Sequence, residues 1–160
     1  MPSLITDRVI TDSDFSAVDA EAASLEASNQ ILPLAFYLEN RDALKGRNDI
    51  GVWLEAGEDI EDLAEFVHDL PVVALNFPAF ADGRAYSSAN ILKRSLVYQG
   101  EIRAIGDVRR DQLSQMVDCG FNSFELAEGQ DADKCLAALD GFTQNYQSTV
   151  ERPEPLFRRR

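Results

Sequence analysis

From Ile50 onward the chain alternates short apolar runs with amphipathic stretches, and this alternation restricts its possible folds more than any other feature. Ile50–Glu55, Val72–Phe77, Glu101–Gly106 and Phe121–Leu126 read as strands. After each comes a stretch with apolar residues at helical spacing: Glu58–Leu70, Ser87–Leu96, Arg110–Cys119 and Asp131–Tyr146. Ile60, Leu63, Phe66 and Val67 share a face in the first, as do Leu113, Met116 and Val117 in the third. Pro71, Gly100 and Gly120 fall at the joints, where such residues end regular elements. One helix between successive strands leaves parallel pairing with right-handed crossovers. The expected fold is therefore α/β, with four consecutive βα units on a parallel sheet. Two arrangements satisfy this, a half (βα)8-barrel-like form or a small open sheet. The sequence has no glycine-rich nucleotide fingerprint, which tilts the reading toward the half-barrel.

The flanks are less regular. Residues 1–30 read as an N-terminal arm in which Leu4-Ile5 and Val9-Ile10 form a small hairpin or extended piece. Residues 16–30 are small and acidic, and are expected to be a peripheral loose helix or mobile connection. Residues 31–49 read as a helix opened by Ile31-Leu32-Pro33, with Pro33 in its first turn and Gly46 as its stop. Residues 1–150 thus make a single α/β domain, with the repeats over 50–147, and 148–160 an extended basic tail. Pro153 and Pro155 keep that tail from being helical, and Arg158, Arg159 and Arg160 end it.

Charge narrows the partners. Asp and Glu outnumber Lys and Arg 28 to 15 in the 160 residues, for a net charge of −13. Such a field repels phosphate backbones and anionic lipid, so neither nucleic acid nor a membrane surface is expected as a partner. No apolar run reaches the ~20 residues of a membrane span, and no signal peptide is expected at the N-terminus. Cys119 and Cys135 have neither disulfide-framework nor metal-type spacing, which points to a reducing cytoplasm and no metal. His68 is the single histidine, so a histidine-based triad or metal site is not expected.

In a parallel α/β fold, the loops after the strands form the working face. Two of these loops are charged. One carries Asp82, Gly83 and Arg84 and runs into Tyr86 and Ser87; the other carries Asp107, Arg109, Arg110 and Asp111. Side by side, they suit a small anion held by Arg84 and Arg110, with Asp82 or Asp107 as an acid–base group. The plainer reading has the same charges capping helices and pairing with one another. Each strand also carries one polar residue in an apolar run: Glu55, Asn76, Arg103 and Glu125. Either these share an inner face, where Arg103 pairs with Glu125 or Glu55, or the two glutamates end their strands in water.

Phe77-Pro-Ala-Phe-Ala-Asp-Gly-Arg-Ala-Tyr-Ser87, Gly100-Glu-Ile-Arg-Ala-Ile-Gly-Asp107-Val, Arg110-Asp-Gln-Leu113 and Cys119-Gly-Phe121 together resemble a bacterial family catalogued as domain of unknown function 934. The resemblance runs from roughly Leu32 to Gln147, with Arg109 standing where the family pattern has a leucine. The family is labelled a probable oxidoreductase and is associated, by gene neighbourhood, with sulfite reductase and the reductase of activated sulfate. The resemblance implies an accessory role in assimilatory sulfate and sulfite reduction, with one of those reductases as partner. It implies no reaction, catalytic residue or cofactor, and the chain has no motif for haem, flavin or an iron–sulfur cluster. A small-oxyanion-binding protein or enzyme, and a structural homodimer that completes a barrel, are the alternatives.

Overall fold

The computed structural model describes residues 3–78 and 83–141. Its strands are β1 (Leu4–Thr6), β2 (Val9–Thr11), β3 (Ser16–Ala17), β4 (Gln30–Pro33), β5 (Ile50–Leu54), β6 (Val72–Phe77), β7 (Glu101–Gly106) and β8 (Ser123–Glu125). Its α-helices are α1 (Leu34–Glu39), α2 (Arg41–Leu44), α3 (Arg84–Asn90), α4 (Leu113–Cys119) and α5 (Ala132–Gly141). Among the described residues the strands form a single eight-stranded sheet in the order β2-β1-β8-β7-β6-β5-β4-β3. Pairing is parallel from β3 through β8, and antiparallel where β1 meets β8 and β2.

This order forces curvature. β2 and β3 occupy opposite edges, although only residues 12–15 separate them in sequence. Laid flat, the two edges would stand about 34 Å apart at ~4.8 Å per strand. The extended chain from Thr11 to Ser16 reaches no more than about 18 Å. The sheet is accordingly an open, strongly curled half-barrel, strapped by its own N-terminal segment.

The two faces of the sheet are closed differently. Leu32, Val52, Leu54, Val73, Leu75, Ile102, Ala104 and Phe124 point outward into the main core beneath the helices. Ile31, Val72, Ala74 and Ile105 point inward, where Phe15 and Trp53 pack against them. Arg103 stands on this inner face, 1% exposed, and fastens the strap across it. Its guanidinium donates to Ser13 Oγ at 2.7 Å, to the Phe15 carbonyl at 3.3 Å and to Glu101 at 2.8 Å. Farther along, the Trp53 indole donates to the Val18 carbonyl at 2.8 Å. The chain covers its own inner face, so hiding that face does not call for a second copy.

Three stretches differ from their sequence-based expectation. Ile31-Leu32-Pro33 belongs to β4, and the helix starts one residue after Pro33. Ile31 and Leu32 are fully buried on opposite sides, a strand pattern too short to announce itself. Glu58–Leu70 is not a regular helix but two 3-10 turns, Ile60–Leu63 and Val67–Asp69. The pairs Glu58/Asp62, Glu61/Glu65 and Glu65/Asp69 would each set like charges four apart on an α-helix, which destabilises it. Residues 16–30 are not peripheral: they hold β3, the first residue of β4 and part of the inner-face cover. Gln30 fixes the preceding turn by accepting from Ser24 N and donating to the Ser24 and Ala27 carbonyls at 3.1, 2.8 and 2.9 Å. Arg47 adds bonds to the carbonyls of Leu25 and Ala27.

Elsewhere the elements fall near their expected places. β6 and β7 span Val72–Phe77 and Glu101–Gly106, and Gly120 closes α4 with φ +117°. Leu4–Thr6 and Val9–Thr11 do form a hairpin, but β1 is also laid into the sheet against β8. The α3 segment continues through a π-helical turn, Ile91–Ser95. The end of the last expected helix, beyond Gly141, and the tail 148–160 lie outside the described residues.

Candidate functional site

Parallel strands β5 to β8 bring the loops at their C-terminal ends to one rim of the half-barrel. At β5 and β6, the Asn76 amide donates to Glu55 Oε2 at 2.9 Å. The Glu55 backbone N–H is in turn bonded to Glu58 Oε1 at 2.8 Å. Gly106 ends β7 with φ +90°, and a Cβ there would run into Asn76 Oδ1 and the Phe77 carbonyl. Asp107 N then donates to that carbonyl at 2.8 Å, which folds the β7 loop back over β6.

The β7 and β8 loops form the more open part of the rim. Val108 is fully buried and anchors its loop, and its carbonyl accepts from Ala127 N at 2.9 Å. Gln130 Oε1 accepts from Arg110 N at 3.2 Å, so the two loops are tied side by side. Between them lies a cavity of about 320 Å³ lined by Arg109, Arg110, Asp111, Gln130, Asp131 and Lys134. Three cationic side chains face two carboxylates there, the reverse of the chain's overall sign. Arg109 is held by Asp107 at 2.7 Å, while Arg110 lies 3.9 Å from Asp111. Such a rim can bind a small anion through charge-assisted hydrogen bonds.

The structure brings some of the sequence candidates together and separates others. Arg110 and Asp111 line this cavity, and Asp107 lies next to it through Arg109. Arg84 opens α3 with its guanidinium beside the Cα of Gly57, after β5; it is not part of the cavity lining. Tyr86 packs edge-on against Phe77 with centroids 5.2 Å apart, and burial pushes its phenol pKa up. Ser87 is exposed on α3. Asp82 lies outside the described residues. Arg103 is not at the rim: it sits within the sheet under the strap, paired with Glu101 and not with Glu55 or Glu125. Glu55 stands exposed at the end of its strand.

Sequence reasoning did not single out Lys134 and Gln130, which come from the start of α5 and the loop before it. The signal was faint: Asp131 accepts from Lys134 N at 3.1 Å as an ordinary helix-entry residue. The thiols offer no nucleophile. Burial raises the pKa of both Cys119 and Cys135, which keeps them protonated near neutral pH. Among the described residues, no group of three His, Cys, Asp or Glu side chains is placed to hold a metal ion, and no helix is long and apolar enough to cross a membrane.

Fold and rim together define an α/β half-barrel protein with a cation-lined cavity at the C-terminal ends of its strands. The chain belongs to the family described as bacterial protein of unknown function (DUF934), whose model matches residues 51–157, more than half of its length. The match runs from the second residue of β5 through β8 and takes in the rim loops. No curated protein matches the chain.

Proposed function

We propose that this protein binds a small oxyanion at the rim cavity beside Arg110, as an accessory to assimilatory sulfate and sulfite reduction in the cytoplasm. The observation that supports binding is the convergence of Arg109, Arg110 and Lys134 on one cavity of an otherwise acidic chain. The sulfur setting rests on the family resemblance alone, and it names sulfite reductase or the reductase of activated sulfate as the protein partner. The parallel strands β5 to β8 supply the frame for this reading, because the loops after such strands are where folds of this kind gather ligands.

Calorimetric titration with sulfite, sulfate and phosphate tests the binding. Saturable heat that is lost in Arg110→Ala and retained in Arg110→Lys supports the reading. An absence of heat with all three anions overturns it. The partner is tested separately, by affinity capture from cells grown on sulfate as sole sulfur source. Recovery of neither reductase counts against the accessory role, whatever the calorimetry shows.

A further inference from the structure

A cavity of about 340 Å³ lies where β5 begins and the chain enters β6, at the opposite end of these strands from the rim. Tyr37 lines it. The residue is 5% exposed, yet among the described residues no donor or acceptor meets its hydroxyl. Buried phenols ordinarily have such a partner, as Tyr98 has in the Leu70 carbonyl. The Tyr37 hydroxyl is not sealed in the core; its outlet is this cavity. An unpartnered buried polar group aimed into a hollow of ligand size marks a binding site.

The local sequence sets the walls. α1 buries Leu34 and Tyr37, three residues apart on one face. Asn40 ends α1 by donating its side-chain amide to the Phe36 carbonyl at 2.9 Å, and α2 restarts the chain at Arg41. The Tyr37 ring meets Phe66 edge-on with centroids 6.3 Å apart, and the Arg41 guanidinium carbon stands 5.5 Å from the Phe66 centroid. Stacking uses the face of a guanidinium and leaves its N–H edge to donate. Among the described residues, Arg41, Lys45, Glu65 and Asp69 take part in no ion pair. Arg41 and Lys45 stand on the α2 side of the cavity, Glu65 and Asp69 on the side of the 3-10 turns. Burial raises the Tyr37 phenol pKa, and the nearby Asp69 carboxylate adds to the rise. Arg47, also in the wall, is spent on Asp49 and on the carbonyls of Leu25 and Ala27.

We propose that this cavity binds a free α-amino acid as its zwitterion. The ammonium group donates to the Tyr37 hydroxyl and faces Asp69 and Glu65, and the carboxylate accepts from Arg41 and Lys45. The two charged walls select this class. A lone anion would lie against two carboxylates, with Asp42 a third, and a lone cation against two cations that no carboxylate neutralises. A molecule bearing both charges answers both walls at once. The volume is at the lower end of ligand sites, which suits a free amino acid better than a peptide. Leu44, Ile50 and Leu70 close the floor, each no more than 5% exposed, so selection falls to the polar groups. Position and charge pattern both differ from the rim's, and the proposal does not depend on that reading.

The test uses the full chain and titration calorimetry with glycine, L-serine, L-methionine and L-lysine, which share the zwitterionic head and differ beyond it. Saturable heat is expected with at least one of them. Methylamine and acetate, each half of that head, should bind at least about tenfold more weakly. Tyr37→Phe deletes the hydroxyl alone and should weaken binding about tenfold. The hydroxyl has no protein partner to lose, so the same variant should keep the parent's thermal midpoint. Asp69→Asn and Arg41→Gln should each weaken binding at least about tenfold. Glu21→Gln, an equal charge change on an exposed residue outside the cavity, should leave the affinity unchanged. The absence of saturable heat with all four amino acids overturns the proposal. So does methylamine or acetate binding as tightly as the amino acid. So, too, does an affinity that Tyr37→Phe, Asp69→Asn and Arg41→Gln all leave unaltered while melts show each variant folded.

Discussion

Arg103 shows what one residue discloses in sequence and what it withholds. An arginine between Ile102 and Ala104 in an apolar run announces a buried charge that needs partners. The identity of those partners is not readable, because Ser13 and Phe15 lie 90 and 88 residues away on a segment without periodicity. Arg103→Ala would strand Glu101 and free the strap, at a cost of about 3 kcal/mol. Arg103→Met keeps the volume and removes the buried charge, so it should cost less; urea midpoints of the two variants give the comparison. Gly106 is the other residue whose role is set by geometry. Its φ of +90° and the closeness of Asn76 and Phe77 leave no room for a Cβ, so Gly106→Ala should lose roughly 2–4 kcal/mol. A change in midpoint under 0.5 kcal/mol, about the noise of surface substitutions, would show that the loop relaxes freely.

At the scale of elements, legibility followed burial pattern. β6 and β7 were readable because six successive residues in each carry a buried run between breakers. β3, with two residues, and the strap have no such signature; they are held by side chain to backbone bonds that only the folded sheet creates. The strap makes a prediction that one chromophore can report. Trp53 is the only tryptophan of the chain, and its indole is bonded to the Val18 carbonyl beneath the strap. Phe15 packs on the inner face beside it and is only partly buried, so Phe15→Ala should cost about 1–2 kcal/mol. It should also red-shift Trp53 emission and raise its quenching by acrylamide in the folded state. If stability falls while the emission is unmoved, the strap does not shield that face.

Across the whole molecule, a mostly parallel α/β sheet was legible, with the half-barrel as the favoured of two arrangements, and its strand count was not. Alternation from Ile50 onward points to a parallel sheet, but β3, β4 and the docking of the β1–β2 hairpin on β8 enter through pairings with no local pattern. The candidate site was half legible for a related reason. Arg110 and Asp111 advertise themselves as a charged loop, whereas Lys134 joins them only because β7 and β8 are neighbours. The same packing makes the molecule's response to alkali a collective property. Burial raises the phenols of Tyr98, Tyr37 and Tyr86, with Glu101 and Asp69 reinforcing the first two, and it raises both thiols. Each group therefore holds its proton longer when folded than when unfolded. Their contribution is fully present below the unfolded values, about 8.5 for thiols and about 10 for phenols. Above those values the unfolded chain carries fewer protons, so stability must fall as pH rises toward the folded values. The urea midpoint should thus hold steady from pH 7 to 8, decline through pH 9 and drop more steeply beyond pH 10. Tyr98 is 1% exposed, and its hydroxyl donates to the Leu70 carbonyl at 2.7 Å. Tyr98→Phe loses that bond and should cost about 1–3 kcal/mol at pH 7. It also removes the most strongly shifted phenol, so its midpoint should decline less between pH 9 and 11 than that of the parent chain. A variant whose alkaline decline is as steep as the parent's would rule out Tyr98 as the main source of the effect.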